Sequence, residues 1–216
     1  FSAMGMDGIF YGDEMYLKEF PGGVLVTGWS NSPSNFRSAP FRILLCDEIS
    51  EWPKDCGGQG DPCELARRRT TNFPRRKLFW NSTPGIDGEC RITEMFERGD
   101  QRHYQVPCPH CGCLHKWEWV NIVWDCDSSG VNLPQTVRMK CQHCGEEYGE
   151  YHKTELMALG QWVAEYPNGE YPSFHINALY SPLGWYSWED AVRDFLKSKG
   201  DVNKMKSFTN NILGEA

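Results

Sequence analysis

The sequence predicts an α/β protein in which a parallel sheet with helices carries an inserted β module and is followed by C-terminal helices. Three observations predict this class. Two short apolar runs, Ile43–Cys46 and the run that begins "KLFW" at Lys77, flank a helical pattern, and the order strand, helix, strand favours parallel pairing. Two Cys-x-x-Cys-Gly pairs then lie among short β-like runs. Beyond them, apolar residues return at helical spacing.

The first apolar run ends in two adjacent carboxylates. Ile43–Cys46 is bounded by polar residues and by Pro40, which is typical of a strand buried on both faces of a sheet. Burying Asp47 and Glu48 would be costly. We therefore expect both just past the carboxyl end of the strand, where open α/β sheets bind their ligands.

Capping patterns predict the remaining elements. A strand is expected over Val24–Trp29, and Asp61, Pro62 and Glu64 predict the start of a helix that ends before Pro74. A short helix follows Asp87-Gly88, with Ile92, Met95 and Phe96 on one face. A capping box at Ser187–Asp190 begins a helix that buries Trp188, Ala191, Val192, Phe195 and Leu196. Another helix begins at Asp201 and buries Val202, Met205, Phe208, Ile212 and Leu213.

The two cysteine pairs predict a metal site. Cys108, Cys111, Cys141 and Cys144 can form a closed tetrahedral set of thiolates, and the glycine after each pair lets backbone amides approach the sulfurs. Four protein ligands leave no open position, so we expect a structural Zn²⁺. The alternatives are an iron–sulfur cluster, a redox pair or unrelated reduced cysteines. The nearby His110, Cys113, His115 and His143 are interpreted as surface or supporting residues rather than ligands.

The acidic pair fits phosphoryl transfer. One carboxylate, Asp47, would hold Mg²⁺ through its water shell, and Glu48 would orient or deprotonate the attacking water. Ser82 and Thr83 end the next strand, where their hydroxyls could sense the γ-phosphate. The simpler alternative is a strand that ends in a solvated acidic turn. The sequence contains no G-x-x-x-x-G-K-[ST] loop, so we expect the rest of the nucleotide site upstream of Phe1.

Charge limits where nucleic acid can bind. The 216 residues carry a formal net charge of −7, so any such contact needs a local patch. The basic clusters at Arg67–Arg69 and Arg75–Lys77 are interpreted either as a solvated helix face or as a surface that follows DNA. The chain has no apolar run long enough for a membrane span, and "FSAMGMDGIF" lacks the basic start of a signal peptide. We expect no membrane contact and an intracellular location.

Several segments, in order, carry a family resemblance. They are "GWSNSPSNFRSAPFRILLCDEISEWP", "GDPCELARRRTTNF", "NSTPGIDGECRITEMFERGDQRHYQVPCPHCG", "CQHCG" and "FHINALYSPLGWYSWEDAVRDFL". Through them the chain resembles the large terminase subunit of tailed bacteriophages, of the lambda-like A-protein type. The likeness runs from about Gly22 onward.

The resemblance implies part of a motor ATPase that packages phage DNA, joined in the full protein to an endonuclease. Asp47 and Glu48 then fall on the Walker B pair, Ser82 and Thr83 on the coupling motif, and the four cysteines on a zinc-ribbon insertion. Asn31, Ser32 and Arg37 fall on a loop expected to contact nucleotide or DNA. The implied cofactors are structural Zn²⁺, with Mg²⁺ and ATP in the full-length protein.

The resemblance also implies an organisation and partners. The sheet is expected to be of the P-loop NTPase type, with the motor part at residues 1–100, the zinc ribbon at 101–153 and a helical segment at 154–216 that leads to a missing nuclease. The expected partners are double-stranded DNA, the small terminase subunit, the portal of the procapsid and further copies of the chain, in the host cytoplasm. Alone, the chain is expected neither to hydrolyse ATP nor to cut DNA.

Two other functions remain open. A non-enzymatic zinc-ribbon module that binds DNA or a protein would explain the cysteines and the absent phosphate loop. A helicase-like ATPase of another superfamily would share the acidic pair, but it does not predict the later motifs.

Overall fold

The structure is a computed structural model that describes residues 16–37, 39–86 and 88–216. In this part of the chain it is a mixed α/β protein, with eleven strands in four small sheets and five α-helices. It divides into two compact units, residues 1–81 and 82–216. The predicted α/β class is confirmed at this level. The stretch "FSAMGMDGIF" and Asp87 lie outside the described residues.

The first unit contains a hairpin and a parallel strand pair. Strands β1 (Leu17–Phe20) and β2 (Gly23–Val26) pair antiparallel, and β2 overlaps the strand predicted from Val24. Strands β3 (Ile43–Cys46) and β4 (Lys77–Trp80) pair in parallel, with Ile43 opposite Lys77 and Cys46 opposite Trp80. Both members of the predicted parallel pair are therefore present.

Helix α1 (Pro62–Arg68) connects the two parallel strands. Asp61 caps it as predicted, because its Oδ1 accepts a hydrogen bond from the Cys63 amide at 3.0 Å. The helix ends well before Pro74. The hydroxyls of Thr70 and Thr71 donate to the carbonyls of Arg67 and Arg68, at 2.8 and 2.9 Å, and so close a turn after the last helical residue.

The burial predicted for β3 is wrong on one face. Ile43 and Leu45 are 54% and 70% exposed, and Phe79 of β4, opposite Leu45, is 57% exposed. Side chains alternate along a strand, so these three share one face, while Cys46 is buried on the other. In the described part of the first unit, this sheet has only two strands. Residues of that unit pack against the face that carries Cys46 and leave the face with Ile43, Leu45 and Phe79 exposed.

Two antiparallel-rich sheets organise the second unit. The first has β5 (Arg102–Pro107) at its centre, antiparallel to β6 (Leu114–Lys116) and β10 (Gln161–Ala164) and parallel to β11 (Phe174–His175). The second consists of β7 (Ile122–Cys126), β8 (Asn132–Lys140) and β9 (Glu147–Tyr148), all antiparallel. Sequence reasoning missed β10 and β11, because each is a short run within a region dominated by helical patterns.

Four helices complete this unit: α2 (Arg91–Arg98), α3 (Lys153–Ala158), α4 (Trp188–Ser198) and α5 (Val202–Phe208). The capping box of α4 is confirmed, since Ser187 Oγ accepts from the Asp190 amide and Asp190 Oδ2 from the Ser187 amide, each at 3.0 Å. The predicted burial of Val202 is wrong. Val202 is the first residue of α5 and is 85% exposed, whereas Phe208 is buried.

One core joins the sheets of the second unit to α4. Trp117, Trp188, Ala191 and Val192 are fully buried. The cluster also contains Val106, Cys108, Ile122, Met139, Cys141, Tyr148, Leu156, Leu179 and Tyr180. Among the described residues, no helix is both long and apolar enough to cross a lipid bilayer.

Candidate metal centre and candidate nucleotide edge

Four cysteine sulfurs converge in the second unit. Cys108 and Cys111 lie in the loop between β5 and β6, and Cys141 and Cys144 lie in the loop between β8 and β9. Their sulfurs are all within 4.8 Å of one another, and the group includes no other residue type. Two pairs across the loops, Cys108 with Cys144 and Cys111 with Cys141, are 3.8 and 3.9 Å apart. Zinc–sulfur bonds of about 2.3 Å in a tetrahedron place sulfurs about 3.8 Å apart.

The two loops have the same backbone design. The Gly112 amide donates to the Cys108 carbonyl at 2.9 Å, and the Gly145 amide donates to the Cys141 carbonyl at 3.0 Å. Both glycines have a positive φ, of 71° and 77°, a conformation that other residues adopt only with strain. The amides two residues after Cys108 and Cys141 each approach the sulfur at 3.4 Å. The glycines therefore turn each loop so that amides face sulfur.

Burial and hydrogen bonds act differently on the two buried thiols of this group. Burial raises the pKa of Cys108 to about 12. At Cys141 burial also opposes ionisation, but hydrogen bonds from the backbone of Cys144 and His143 and from Cys108 outweigh it and lower the pKa to about 7. These hydrogen bonds favour the thiolate of Cys141, and a bound cation would favour the ionised form of all four groups. The donor set fits a soft or borderline metal ion.

Hydrogen-bonded aromatic residues lie in the core next to the cysteine loops. The Trp117 indole donates to the Tyr148 hydroxyl at 2.9 Å, and that hydroxyl also bonds the His115 Nε2 at 2.8 Å. His143 bonds the Leu114 carbonyl through its Nε2 at 3.1 Å. His115 and His143 thus each have a hydrogen-bond partner near the cysteine loops, and their supporting role stays a prediction. Tyr148 was missed, and its position four residues after the second cysteine pair was the available signal.

The acidic pair lies just past the carboxyl end of β3, in the first unit. Asp47 Oδ1 accepts hydrogen bonds from the side-chain amide of Asn81, at 2.7 Å, and from the backbone amide of Glu48, at 3.1 Å. Its carbonyl accepts from the Trp52 indole at 2.9 Å. Asp47 Oδ2 makes no hydrogen bond within the described residues, so one carboxylate oxygen is fixed in orientation and the other remains available.

Glu48 adopts the left-handed conformation, with φ 50° and ψ 45°. This conformation is uncommon outside glycine and costs a non-glycine residue about 1–2 kcal/mol. It turns the chain directly from the strand into a 3₁₀ turn over Ile49–Glu51. Both acidic residues are exposed. A strained residue at a strand end is a feature of functional sites, where the surrounding structure holds it.

Asn81 is the residue beside the acidic pair that sequence reasoning missed. The parallel register places Cys46 opposite Trp80, and the next residues on each strand, Asp47 and Asn81, meet side by side. The backbone continues this match, since the Asn81 amide donates to the Cys46 carbonyl at 2.9 Å. The register itself was the available signal. Ser82 and Thr83 follow directly in the chain and begin the second unit, where Ser82 Oγ donates to the Thr83 carbonyl at 2.9 Å.

The loop with Asn31, Ser32 and Arg37 surrounds a 3₁₀ turn over Pro33–Phe36. Ser32 Oγ bonds Ser34 Oγ at 2.8 Å. The Phe36 ring lies 6.4 Å from the Trp52 ring, and Trp52 lies 6.5 Å from Trp80. Phe36 thus lies beside Trp52, whose indole bonds the Asp47 carbonyl. Asn31 and Arg37 themselves are exposed.

Two family models match the chain. The model of the phage terminase large subunit gpA, ATPase domain, matches residues 11–162. The model of the terminase large subunit gpA, endonuclease domain, matches residues 171–216. The chain belongs to the gpA family of phage terminase large subunits. The resemblance stated from the motifs is thereby confirmed.

Two curated relatives show the same relationship. The chain is 29% identical over 206 residues to "Terminase, large subunit" of Enterobacteria phage P21, and 25% identical over 205 residues to the protein of that name from Escherichia phage lambda. Each match covers 84% of this chain and 31% of the relative. The chain thus spans about a third of the length of the terminases it matches. No solved structure matches it.

The predicted site residues all fall within the match to the gpA ATPase domain, residues 11–162. They are Asn31, Arg37, Asp47, Glu48, Ser82, Thr83, Cys108, Cys111, Cys141 and Cys144. The structure brings the four cysteines together and places the acidic pair at the edge of a parallel strand pair. The chemical role of each of these residues stays a prediction.

Proposed function

We propose that this terminase segment supplies part of the ATPase centre of an ATP-driven DNA-packaging motor, whose full-length protein is also an endonuclease. The observation that carries the proposal is the fixed position of Asp47 past the end of β3, held by Asn81 within the stretch that matches an ATPase domain. Carboxyl ends of parallel strands are where such sheets bind ligands.

The roles proposed for the acidic residues follow from their geometry. Asp47, with one oxygen held by Asn81 and the other available, would bind Mg²⁺ through its water shell. Glu48, exposed and turned out of the strand direction, would orient the water that attacks the γ-phosphate. Ser82 and Thr83 would couple hydrolysis to movement, and Asn31 and Arg37 would contact nucleotide or DNA. ATP and Mg²⁺ are the cofactors of this activity.

The ATPase proposal is tested in the complete reading frame that encodes this chain. We expect Glu48→Gln and Asp47→Asn each to lower ATP turnover at least about 100-fold, because each removes a group placed at the transferring phosphoryl group. Glu51→Gln is the matched control, since Glu51 is exposed and three residues away, and turnover should stay within about twofold. Unchanged turnover in Glu48→Gln would remove Glu48 from the mechanism.

We propose that the four cysteines bind a structural Zn²⁺ in a zinc ribbon inserted into the motor part. The proposal is supported by the sulfur separations and by the duplicated amide-to-sulfur contacts. Purified protein should contain about one zinc per chain by elemental analysis. Cobalt replacement should give the absorption of a tetrahedral thiolate site. Iron with sulfide in the purified protein would identify a cluster instead.

The remaining organisation is proposed on the family relationship. The division into a motor part at 1–100, the zinc ribbon at 101–153 and a helical segment at 154–216, and a P-loop type of sheet, remain predictions. The proposed partners are double-stranded DNA, the small terminase subunit, the portal of the procapsid and further copies of the subunit, in the host cytoplasm.

A second function is favoured by the cysteine cluster alone, which is complete within the chain. In that case the segment is a non-enzymatic module that binds DNA or a protein through its zinc ribbon. Electrophoretic mobility of DNA, and capture of the small terminase subunit, should then depend on zinc and be lost with a chelator. Absence of zinc-dependent binding to either partner would eliminate this function.

A further inference from the structure

Three segments of the first unit bring basic side chains to the amino edge of the β3–β4 pair. The Phe41 amide donates to the carbonyl of Arg69 at the end of α1, and the Lys77 amide donates to the carbonyl of Arg42 before β3, both at 2.9 Å. These two bonds fix the start of β3, the end of α1 and the start of β4 side by side. We call the exposed cations of these segments the basic edge: Arg42, Arg68, Arg75, Arg76 and Lys77.

Within the part of the chain that the structure describes, no acidic partner compensates the charge of the basic edge. Among the residues that the structure describes, none of its five side chains forms an ion pair, although Arg67 beside it pairs with Glu64 at 3.7 Å. The helix dipole favours a cation at Arg68, near the end of α1, but it does not explain the other four. Clustered like charges repel one another and oppose folding, which an anion bound from outside would relieve.

Four described acidic residues of this unit lie at the other end of the strands. Asp47 and Glu48 follow the last residue of β3, and Glu51 and Asp55 lie in the turns after them. Arg42 precedes β3, so five residue steps of about 3.3 Å separate it from Asp47, or roughly 16 Å. A phosphate held at Asp47 is therefore out of reach of the basic edge. The anion that this edge suits is distinct from a nucleotide at the acidic pair.

An open pocket lies at this edge. Arg42 and Arg75 line it together with Phe73 and Pro74, and its volume is about 320 Å³. Exposed cations on three separate segments along one edge fit a linear polyanion better than a single small ion. Arginine forks also suit phosphate oxygens.

We propose that the basic edge binds the phosphate backbone of double-stranded DNA. This inference rests on the proposed packaging function and adds the surface that contacts the duplex, at the strand edge opposite the acidic pair. The contacts are to phosphates and therefore independent of base sequence. The chain as a whole is acidic, with a net charge of −7, so this local patch accounts for the attraction.

The test is the salt dependence of DNA binding by the zinc-loaded chain. Fluorescence anisotropy with a 30-base-pair duplex is measured between 50 and 200 mM salt, without nucleotide. Each phosphate contact contributes about 0.9 to the slope of log affinity against log salt. The triple variant Arg42→Gln, Arg75→Gln, Arg76→Gln should lower the slope by about 2 to 3 and the affinity at least about tenfold, equally for duplexes of unrelated sequence.

Two matched variants separate this surface from general charge and from folding. The control is a triple variant that changes the net charge equally, on exposed helix positions of the second unit: Lys197→Gln, Lys204→Gln, Lys206→Gln. The slope of its log affinity against log salt should change by less than about 1. A second triple variant keeps the positive charge of the edge: Arg42→Lys, Arg75→Lys, Arg76→Lys. Its salt dependence of DNA binding should stay close to that of the parent chain.

Three results would overturn the proposal: no DNA binding at 50 mM salt, an unchanged slope in the glutamine variant of the edge, or an equal loss in the control. The last two would leave an acidic protein as the partner of this edge. Because the assay contains no nucleotide, its failure leaves the ATPase test with Glu48→Gln unaffected. Failure of that ATPase test in turn leaves the slopes unaffected.

Discussion

At the scale of single residues, Glu48 is where local preference and proposed function conflict. Its left-handed backbone, with φ 50°, suits glycine rather than glutamate. The neighbouring contacts hold it there, since the Glu48 amide donates to Asp47 and the Ile49 amide donates to the Asn81 carbonyl at 3.2 Å. A glutamate kept at a position that favours glycine is consistent with selection for its carboxylate.

This strain can be measured by comparing two substitutions at the same site. Glu48→Gly and Glu48→Ala both remove the side chain, but only glycine adopts the left-handed conformation without cost. We expect the glycine variant to have the higher free energy of unfolding, by about 1 kcal/mol, in urea denaturation. At Glu51, where φ is negative, the order should reverse or vanish. An alanine variant as stable as the glycine variant would mean that the strain is absent.

At the scale of secondary-structure elements, Asp100 ties the central strand of its sheet to a strand distant in sequence. It precedes β5 and is buried. Its Oδ1 accepts from the Ser173 amide next to β11 at 3.0 Å, and its Oδ2 accepts from the Arg102 guanidinium at 2.8 Å. Burial opposes ionisation, but these hydrogen bonds and the Arg102 charge outweigh it and lower the pKa of Asp100.

The lowered pKa makes the junction sensitive to acid. Its stabilisation is complete above the unfolded-state pKa of about 3.9 and is lost as the pH falls through the lower folded-state pKa. Asp100→Asn should lower the free energy of unfolding at pH 7 by about 1.5–3 kcal/mol. The difference from the parent should shrink as the pH falls below about 4. Urea denaturation of the variant and the parent at a series of pH values measures this difference. Both chains carry the same thiols, so effects of pH on the cysteines cancel in the comparison.

The exposed Glu97 supplies the matched control for the acid series. Glu97→Gln changes the net charge equally, and its denaturation curve should follow that of the parent chain at every pH. A difference between Asp100→Asn and the parent that stays constant down to pH 3 would show that the carboxylate charge of Asp100 does not stabilise the junction.

How far the sequence predicted these elements depends on the range of the signal. Strands β3 and β4, the Asp61 cap and the α4 capping box follow from neighbouring residues, and the structure contains them. Burial depends on what packs from elsewhere, so Leu45 and Val202 were predicted wrongly. Strands β10 and β11 hold their places by pairing with β5, about 60 to 70 residues away, and carry no strong local pattern. The same limit applies to the candidate sites. The cysteine spacing alone predicted which four sulfurs come together, whereas the place of Asn81 beside Asp47 depends on the register of β3 and β4.

At the scale of the whole second unit, the cysteine loops and helix α4 share one core. Cys108 and Cys141 belong to the same buried cluster as Trp188, Ala191 and Val192. The Trp117 ring stacks on Tyr180 at 4.8 Å and meets Trp188 edge-on at 5.2 Å. This core therefore spans the matches to both family models, at 11–162 and 171–216.

A buried ion pair reinforces this connection. Lys153 is fully buried, and its Nζ donates to Glu150 Oε1 at 2.8 Å. The same oxygen accepts from the Trp188 amide, the first amide of α4, at 3.0 Å. Burial lowers the pKa of Lys153, and the Glu150 carboxylate opposes that shift. The start of α4 is thus bound to the segment that directly follows β9, the strand after the second cysteine loop.

We therefore expect loss of the proposed zinc to open α4 as well as the cysteine loops. Metal binding in such small modules contributes folding free energy directly, about 10–16 kcal/mol in zinc-finger peptides. With Cys141→Ser or a chelator, amide exchange in α4 should accelerate at least about 100-fold, in step with loss of zinc. Cys113→Ser is the matched control, because its exposed thiol lies outside the four-sulfur group, and exchange should be unchanged. Protection of α4 that survives complete zinc removal would mean that the aromatic core alone holds the helix, and that the metal organises only its own two loops.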